Sequence, residues 1–296
     1  MNLTNSFQPV KLSQKDCYYQ YWQKTPKRSL DYTLANIWGW QNYFGLEWLN
    51  LSDLLLLRQR KPEPLNWAPL GDWTKADWDE MLANLPEGQK TFIRVPEELV
   101  QIWQQAFGSR LTVIEDRGHW EYIYNQSDLA NLPGKNYHKK KNHYSGYVKE
   151  YGEPNYIEVN NMIVEDVLAL QDEWCQWHEC EDSSSLRAEN EAINQVLSHW
   201  NMFQGLSGGA LYINERIVAF SIGEQLDQET IGVHFEKGLN GYKGIYQTIN
   251  KVFSTCTAAN FKFINRAQDL DEEGLRQAKM SYHPTSFLKK YRCIID

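Results

Sequence analysis

Several things are scarce in this chain of 296 residues, and each scarcity removes a class of protein. Cysteine occurs only five times (Cys17, Cys175, Cys180, Cys256, Cys293), an odd count with no CxxC pair, which argues for reduced thiols in a cytoplasmic setting. Long apolar runs are missing: the longest aliphatic run is Leu54–Leu57, against the roughly 20 residues of a membrane-spanning helix. Met1–Asp16 has no apolar core of a secretory signal. Positive charge is in deficit, 30 Lys+Arg against 38 Asp+Glu for a net charge of −8, so a general DNA coat is excluded while local phosphate-binding patches are not. Tryptophan is absent after Trp200.

What is present belongs to a folded protein: 42% hydrophobic and 23% charged residues. The length suggests two domains or one large one. Twelve tryptophans are many, and nine of them (Trp22, Trp38, Trp40, Trp48, Trp67, Trp73, Trp78, Trp103, Trp120) fall in the first 120 residues, so the halves are built differently. The first half reads as mixed α and β: helical sequence over 13–44, a hairpin of 48–51 and 54–58, and a loop at Lys61-Pro-Glu-Pro. A helix is expected to start at Thr74, and strands at 91–95 and 111–115 flank a helix over 97–107. After a strand at 121–125 come Lys135, Lys139, Lys140, Lys141 and Lys149, and then an acidic block with eleven carboxylates between Glu153 and Glu191 against the single Arg187. A strand is expected at 156–159, and helices over 165–181 and 186–203.

The last third is the most legible. A hairpin (210–213, 216–223), a third strand (231–237), a glycine-bearing loop, a helix over 245–257, a strand at 261–265, a short helix over 272–280 and a final strand at 287–294 make an α+β unit centred on a meander. With a period of two, Gly232, His234 and Glu236 are expected on one face of the third strand and Ile231, Val233 and Phe235 on the other. A histidine and a glutamate side by side suit general-base chemistry; the alternative is a solvated sheet face. The loop through Lys237, Gly238, Gly241, Lys243 and Gly244 opens a helix whose free N–H groups favour a phosphate or carboxylate, or it is a plain strand-to-helix turn. Asp269 at a strand end, with Arg276 and Lys279 three apart on the next helix, suits an anionic or acyl substrate, or a capped helix with surface ion pairs.

Three other patterns are set aside. Gly205-Leu-Ser207-Gly-Gly209 fits G-x-S-x-G, but it follows a helix and precedes a strand, the reverse of a nucleophile elbow, and reads as a tight turn. Cys175-x-x-His178-x-Cys180 is too short a cluster to close a tetrahedral metal site. The lysines at 135–141 either steer a nucleic-acid phosphate or form a solvated helix face paired with the acidic block.

The phrases Ser29-Leu-Asp31-Tyr32-Thr, Gly134-Lys135-Asn-Tyr-His138-Lys139-Lys140-Lys141-Asn142-His143, Ala188-Glu189-Asn-Glu191, Ser207-Gly208-Gly209, Val233-His234-Phe-Glu236-Lys237 and Asn265-Arg266…Asp269-Leu270…Glu273-Gly274-Leu275-Arg276…Lys279…Ser281-Tyr282 run in order over most of the chain. Through them the chain resembles an uncharacterised bacterial family grouped with the C-terminal domain of phosphatidylglycerol lysyltransferase. The resemblance implies two tandem acetyltransferase-like folds, here expected over 1–126 and 127–296. It also implies transfer of an aminoacyl group from tRNA or an acyl group from acyl-CoA to an amine or hydroxyl acceptor, small or lipid-like. Ala267-Gln268 and Asp271 depart from the family pattern, which usually has acidic residues after Asn-Arg and glycine after Asp-Leu.

The resulting expectation is a cytoplasmic acyl- or aminoacyl-transferase with no tightly bound cofactor and no metal. His234 or Glu236 would be the base, Asp269 would orient the acceptor, and Lys237, Arg276 and Lys279 would stabilise negative charge. Gly238, Gly241, Lys243 and Gly244 would hold the donor phosphate, and Lys135, Lys139, Lys140 and Lys141 would meet tRNA. The alternative, carried by the departures at 267, 268 and 271, is a non-catalytic binding protein on the same fold.

Overall fold

The computed structural model describes residues 6–86 and 88–296, and the chain divides into two compact units. The first comprises Met1–Glu121, Gln268–Glu272 and Leu288–Asp296; the second comprises Tyr122–Ala267 and Glu273–Phe287. No helix among the described residues is long and apolar enough to cross a membrane.

The first unit is organised on a seven-stranded sheet. Its strands are β1 (Gln8–Pro9), β2 (Glu47–Asn50), β3 (Leu54–Gln59), β4 (Leu65–Gly71), β5 (Thr91–Pro96), β6 (Leu111–Glu115) and, from the chain's end, β14 (Lys290–Ile295). The spatial order is β1-β2-β3-β4-β5-β14-β6. The helical stretch expected over 13–44 is two helices, Lys15–Lys24 and Leu34–Phe44, parted at Pro26; the second is capped by the Thr33 hydroxyl, which accepts from the Asn36 N–H at 3.2 Å. The helix expected from Thr74 starts later, at Trp78, because Asp77 Oδ1 takes the Glu80 N–H at 2.8 Å and is the better cap. The loop expected at Lys61-Pro-Glu-Pro is there, and strand β4 starts directly after it, buried throughout, where no element was expected. Trp67, Trp73 and Trp103 are among the largest fully buried side chains, so much of the tryptophan surplus is core, each buried ring contributing about 1.5–3 kcal/mol.

The second unit repeats the plan. Its strands are β7 (Glu121–Asn125), β8 (Asn155–Glu158), β9 (Leu206–Ile213), β10 (Arg216–Gln225), β11 (Thr230–Gly238), β12 (Phe263–Asn265) and β13 (Ser286–Leu288). The order β8-β9-β10-β11-β12-β7-β13 matches the first sheet position by position. In both, an antiparallel meander leads through a helix to a strand parallel to its last member (β4 with β5, β11 with β12), and the strand beyond comes from the other half of the chain. The fold is therefore α+β, two copies of one plan in tandem, each a mixed, mainly antiparallel sheet flanked by helices. The single final strand expected at 287–294 is in fact two, β13 and β14, one for each sheet.

Two readings are corrected. Ser207–Gly209 lies inside β9, not in a turn; only Gly205, at φ +78°, makes the turn, and Gly209 is glycine because the Tyr156 ring occupies the place of a side chain. Nor are all five cysteines reduced: the last turn of helix Val164–Trp177 and the short turn after it bring the Cα atoms of Cys175 and Cys180 to 5.1 Å, where they form a disulfide. Cys17, Cys256 and Cys293 are free thiols.

Candidate active site

The site follows from how β11 runs between its neighbours. Its ladder with β10 slips by one residue: Ile222 pairs with Phe235, but Gly223 pairs with Val233, so the register passes over His234. Such a bulge reverses the side-chain alternation beyond it. Gly223 and Gly238 face helix Ile245–Thr255, with Phe253 and Ile245 filling the space a Cβ would take. Glu236, two residues before Gly238, shares that face. Glu224, next to Gly223, points to the opposite face, and His234 Nε2 lies 2.9 Å from Glu224 Oε2. His234 and Glu236 therefore do not share a face, contrary to simple alternation, and the His234–Glu224 side chains are 4% and 3% exposed. Glu224 has no sequence signal beyond being a charged residue in an apolar strand. Lys237 is on the His234 side, where its ammonium meets Glu189 Oε2 at 2.7 Å and lies 3.9 Å from the centre of the Trp174 ring.

The second determinant is where β11 and β12 part. Their parallel pairing covers only Thr230–Gly232 with Phe263–Asn265, while β11 continues to Gly238. The first residue past the last pair is Arg266, and its Nη2 donates to Glu236 Oε1 at 2.9 Å. Its guanidinium lies 5.0 Å from the centre of the Tyr282 ring. Burial pulls the guanidinium down, but Glu236 and Tyr282 outweigh it and leave it raised. Burial pushes the Tyr282 hydroxyl up to about 12. Glu236 Oε2 is buried with no hydrogen-bond partner. From helix His138–Tyr151, Lys140 reaches the same ring, 4.1 Å from its centre. Lys279 Nζ donates to the Arg266 carbonyl, and the Tyr124 hydroxyl donates to the Lys279 carbonyl at 2.8 Å.

The structure thus gathers Glu236 and Lys279 with Lys140, which had been expected to meet tRNA, and adds Arg266 and Tyr282. Arg266 and Tyr282 stood in the resembling phrases, but nothing local said that they meet. Arg276 is half-buried on helix Glu273–Met280. Asp269 belongs to the first unit, fully buried, with Arg117 Nη1 at 3.0 Å from its Oδ2. Of the loop glycines, Gly244 takes φ +73° against the His143 backbone and Gly238 makes room for Ile245, while Gly241 faces open space. Lys243 lays its side chain against Gly146. Lys135, Lys139 and Lys141 are exposed.

The first copy carries an equivalent arginine. Its parallel pairing ends at Trp67 with Ile93, and the next residue, Arg94, has φ +59° and lies 4.2 Å from the Trp67 ring centre. Its Nη1 binds Asp31 Oδ1, which Gln268 Nε2 also approaches at 3.4 Å; Lys290 takes Asp31 Oδ2. Lys290 also donates to Glu121 Oε1 at 2.6 Å. Every oxygen of the partner carboxylate is occupied there, whereas in the second copy one is not.

Over residues 22–294 the chain matches the family described as phosphatidylglycerol lysyltransferase, C-terminal. It belongs to that family. Among solved structures, this member of the lysyltransferase C-terminal family is similar to a conserved protein of unknown function from Bacteroides thetaiotaomicron, with TM-score 0.88 and 29% identity over 98% of this chain and 99% of the other. A C-terminal domain of a putative lysylphosphatidylglycerol synthetase from Agrobacterium fabrum gives a TM-score of 0.68 at 11% identity, covering 96% and 93%. L-PGS from Bacillus licheniformis gives 0.66 at 14%, covering 95% and 91%. An uncharacterised protein of Mycoplasmoides gallisepticum is 25% identical over 171 residues, 57% of this chain and 54% of its own length, so the match spans about half of that relative.

Asp271 takes φ +60°, a conformation that glycine adopts without strain, and its N–H donates to Asp269 Oδ1 at 2.9 Å. Its carboxylate occupies the space a side chain on Gly118 would need. Gly118→Ala is therefore expected to destabilise by about 1–3 kcal/mol, and adding Asp271→Gly to recover most of the loss. A double variant in urea unfolding with the two effects simply additive would show that the residues are not coupled.

Proposed function

We propose that this chain transfers an acyl or aminoacyl group, from aminoacyl-tRNA or acyl-CoA, to an amine or hydroxyl acceptor that is small or lipid-like. The observation that carries this reading is the Glu236–Arg266 pair at the parting of β11 and β12, with one carboxylate oxygen left unpartnered. Arg266 holds Oε1 and fixes the carboxylate, and Oε2 takes the proton of the acceptor N–H or O–H. The acceptor's lone pair attacks the acyl carbonyl, the carbonyl–oxygen bond of an aminoacyl ester or the carbonyl–sulfur bond of a thioester breaks, and the leaving oxygen or sulfur takes up a proton. Arg266 is also a donor fixed in advance beside the reacting carbonyl. His234, dry and paired to Glu224 on the other face, acts as a support for the bulge in this reading. The exposed Lys135, Lys139 and Lys141 are the contacts for a tRNA donor.

Supplying the chain with acetyl-CoA, longer acyl-CoAs and charged tRNA, together with pooled amines and hydroxyl lipids, tests the reading. Product with one donor class is expected, and none with any donor would sink it. If the donor is tRNA, its binding should weaken steeply with salt, with a slope of log K on log salt smaller by about 2 when three lysines are replaced. Binding independent of salt would remove tRNA as donor.

A further inference from the structure

We infer that Ser221 and Asn250 hold one buried water against Glu236 Oε2, and so act as positioning residues for that carboxylate. Where β10, β11 and helix Ile245–Thr255 meet, three buried polar atoms have no hydrogen-bond partner among the described residues: Ser221 Oγ, Asn250 Oδ1 and Glu236 Oε2. Ser221 is fully buried and Asn250 is 1% exposed. Polar atoms orphaned in such places are costly, and a buried water typically makes about three hydrogen bonds to groups of this kind.

The ladder and the helix bring the three atoms to one space. Ser221 stands directly across the β10–β11 ladder from Glu236, so their side chains share a face with Cβ atoms about 4.5–5.5 Å apart. Ser221 is also two residues before Gly223, which faces the helix at Phe253, as Gly238 does at Ile245. On the helix, Tyr246, Asn250 and Phe253 follow the spacing i, i+4, i+7 and line one side. At one end of that ridge the Tyr246 hydroxyl donates to the Gly238 carbonyl at 3.3 Å, and at the other Phe253 fills the space beside Gly223. Asn250, between them, lies over the stretch of sheet between the two glycines, where Ser221 and Glu236 stand.

Donors and acceptors balance with one water. It donates one hydrogen to Glu236 Oε2 and the other to Asn250 Oδ1, and it accepts the Ser221 hydroxyl. Arg266 already holds Oε1. A carboxylate oxygen has two lone pairs, so Oε2 keeps one for the acceptor's proton. That part in transfer rests on the function proposed above; the water site does not.

A high-resolution crystal structure of the full chain is expected to show a water within about 2.5–3.2 Å of all three atoms, and crystals of Ser221→Ala to show it lost or displaced. No water there in the parent, or one unmoved in Ser221→Ala, would overturn the site. Hydrogen bonds to a carboxylate favour its ionised form. With whichever donor gives product, Ser221→Ala and Asn250→Leu therefore move the acid limb of the pH–rate profile to higher pH. The rate on that limb falls by about three- to tenfold, the scale of one hydrogen bond to a charged group, while the alkaline plateau is kept. A merely structural role would instead lower Tm and depress the rate alike at every pH, and an acid limb unmoved in both variants would remove the positioning role. If no donor gives product, the transfer reading fails, and the crystals still decide the water site.

Discussion

Asp31→Asn is expected to destabilise the first unit by about 3–5 kcal/mol, the usual loss when one member of a buried ionic network is removed and its partners stay charged. Asp31 is 2% exposed and holds Arg94 on one oxygen and Lys290 on the other. Lys290 is fully buried, and its remaining carboxylate is Glu121, which also accepts from the Ser29 hydroxyl at 2.7 Å. Asparagine keeps the shape but leaves two buried cations sharing one charge. The pH dependence has a definite sign. Burial alone would raise the Asp31 carboxyl, but Arg94 and Lys290 outweigh it and hold the group well below the usual carboxylate range. A carboxyl lowered by folding contributes stability that is complete above the unfolded value of about 3.9 and is lost as pH falls below it. Denaturant unfolding followed by tryptophan fluorescence between pH 3 and 7 should show the wild-type advantage over Asp31→Asn shrinking at the acid end. A variant within about 1 kcal/mol of wild type at pH 7 would mean that the network is not what holds these strands.

This network also marks how far the sequence could be read. The meander β9-β10-β11, the following helix and the hairpin β2-β3 were legible because alternation, helical period and turn residues all agree there. Ser29-Leu-Asp31-Tyr32 was visible as a phrase, but its role depends on Lys290, 259 residues away in sequence. No local pattern encodes that pairing. The same holds for β14, which reads as a plain terminal strand and lies between β5 and β6. At the site the failure was one of register: alternation put His234 with Glu236, and the slip at Ile222/Gly223 separates them. A bulge is one extra residue in a ladder, and a single strand's sequence does not count its partner's residues. Lys140 was named only as one of four lysines expected to meet tRNA, and its packing was not legible. It sits in a run of three lysines that looks uniformly solvated, and only the packing of Tyr282 singles it out.

Glu236→Gln is expected to reduce acyl transfer by about 10²–10⁴-fold, the range for loss of a positioned general base, while the chain stays folded. The comparison of the two copies gives this prediction its force. Each has an arginine as the first residue beyond its parallel pair, Arg94 and Arg266, and each arginine binds a carboxylate and lies over an aromatic ring. In the first copy both carboxylate oxygens are taken by cations, and the arrangement is a strut. In the second Glu236 keeps one oxygen for another partner, so the same motif is available for chemistry. Glutamine preserves the bond from Arg266 through its amide oxygen and removes the proton acceptor. The decline should therefore fall on kcat, with binding of the donor little changed and the alkaline plateau of the pH profile lowered throughout. Glu236→Asp, which keeps the carboxylate but withdraws it by one methylene, should recover part of the rate. If Glu236→Gln and Glu236→Asp lose activity equally and in step with their Tm, Glu236 is a strut like Asp31, and the base lies elsewhere.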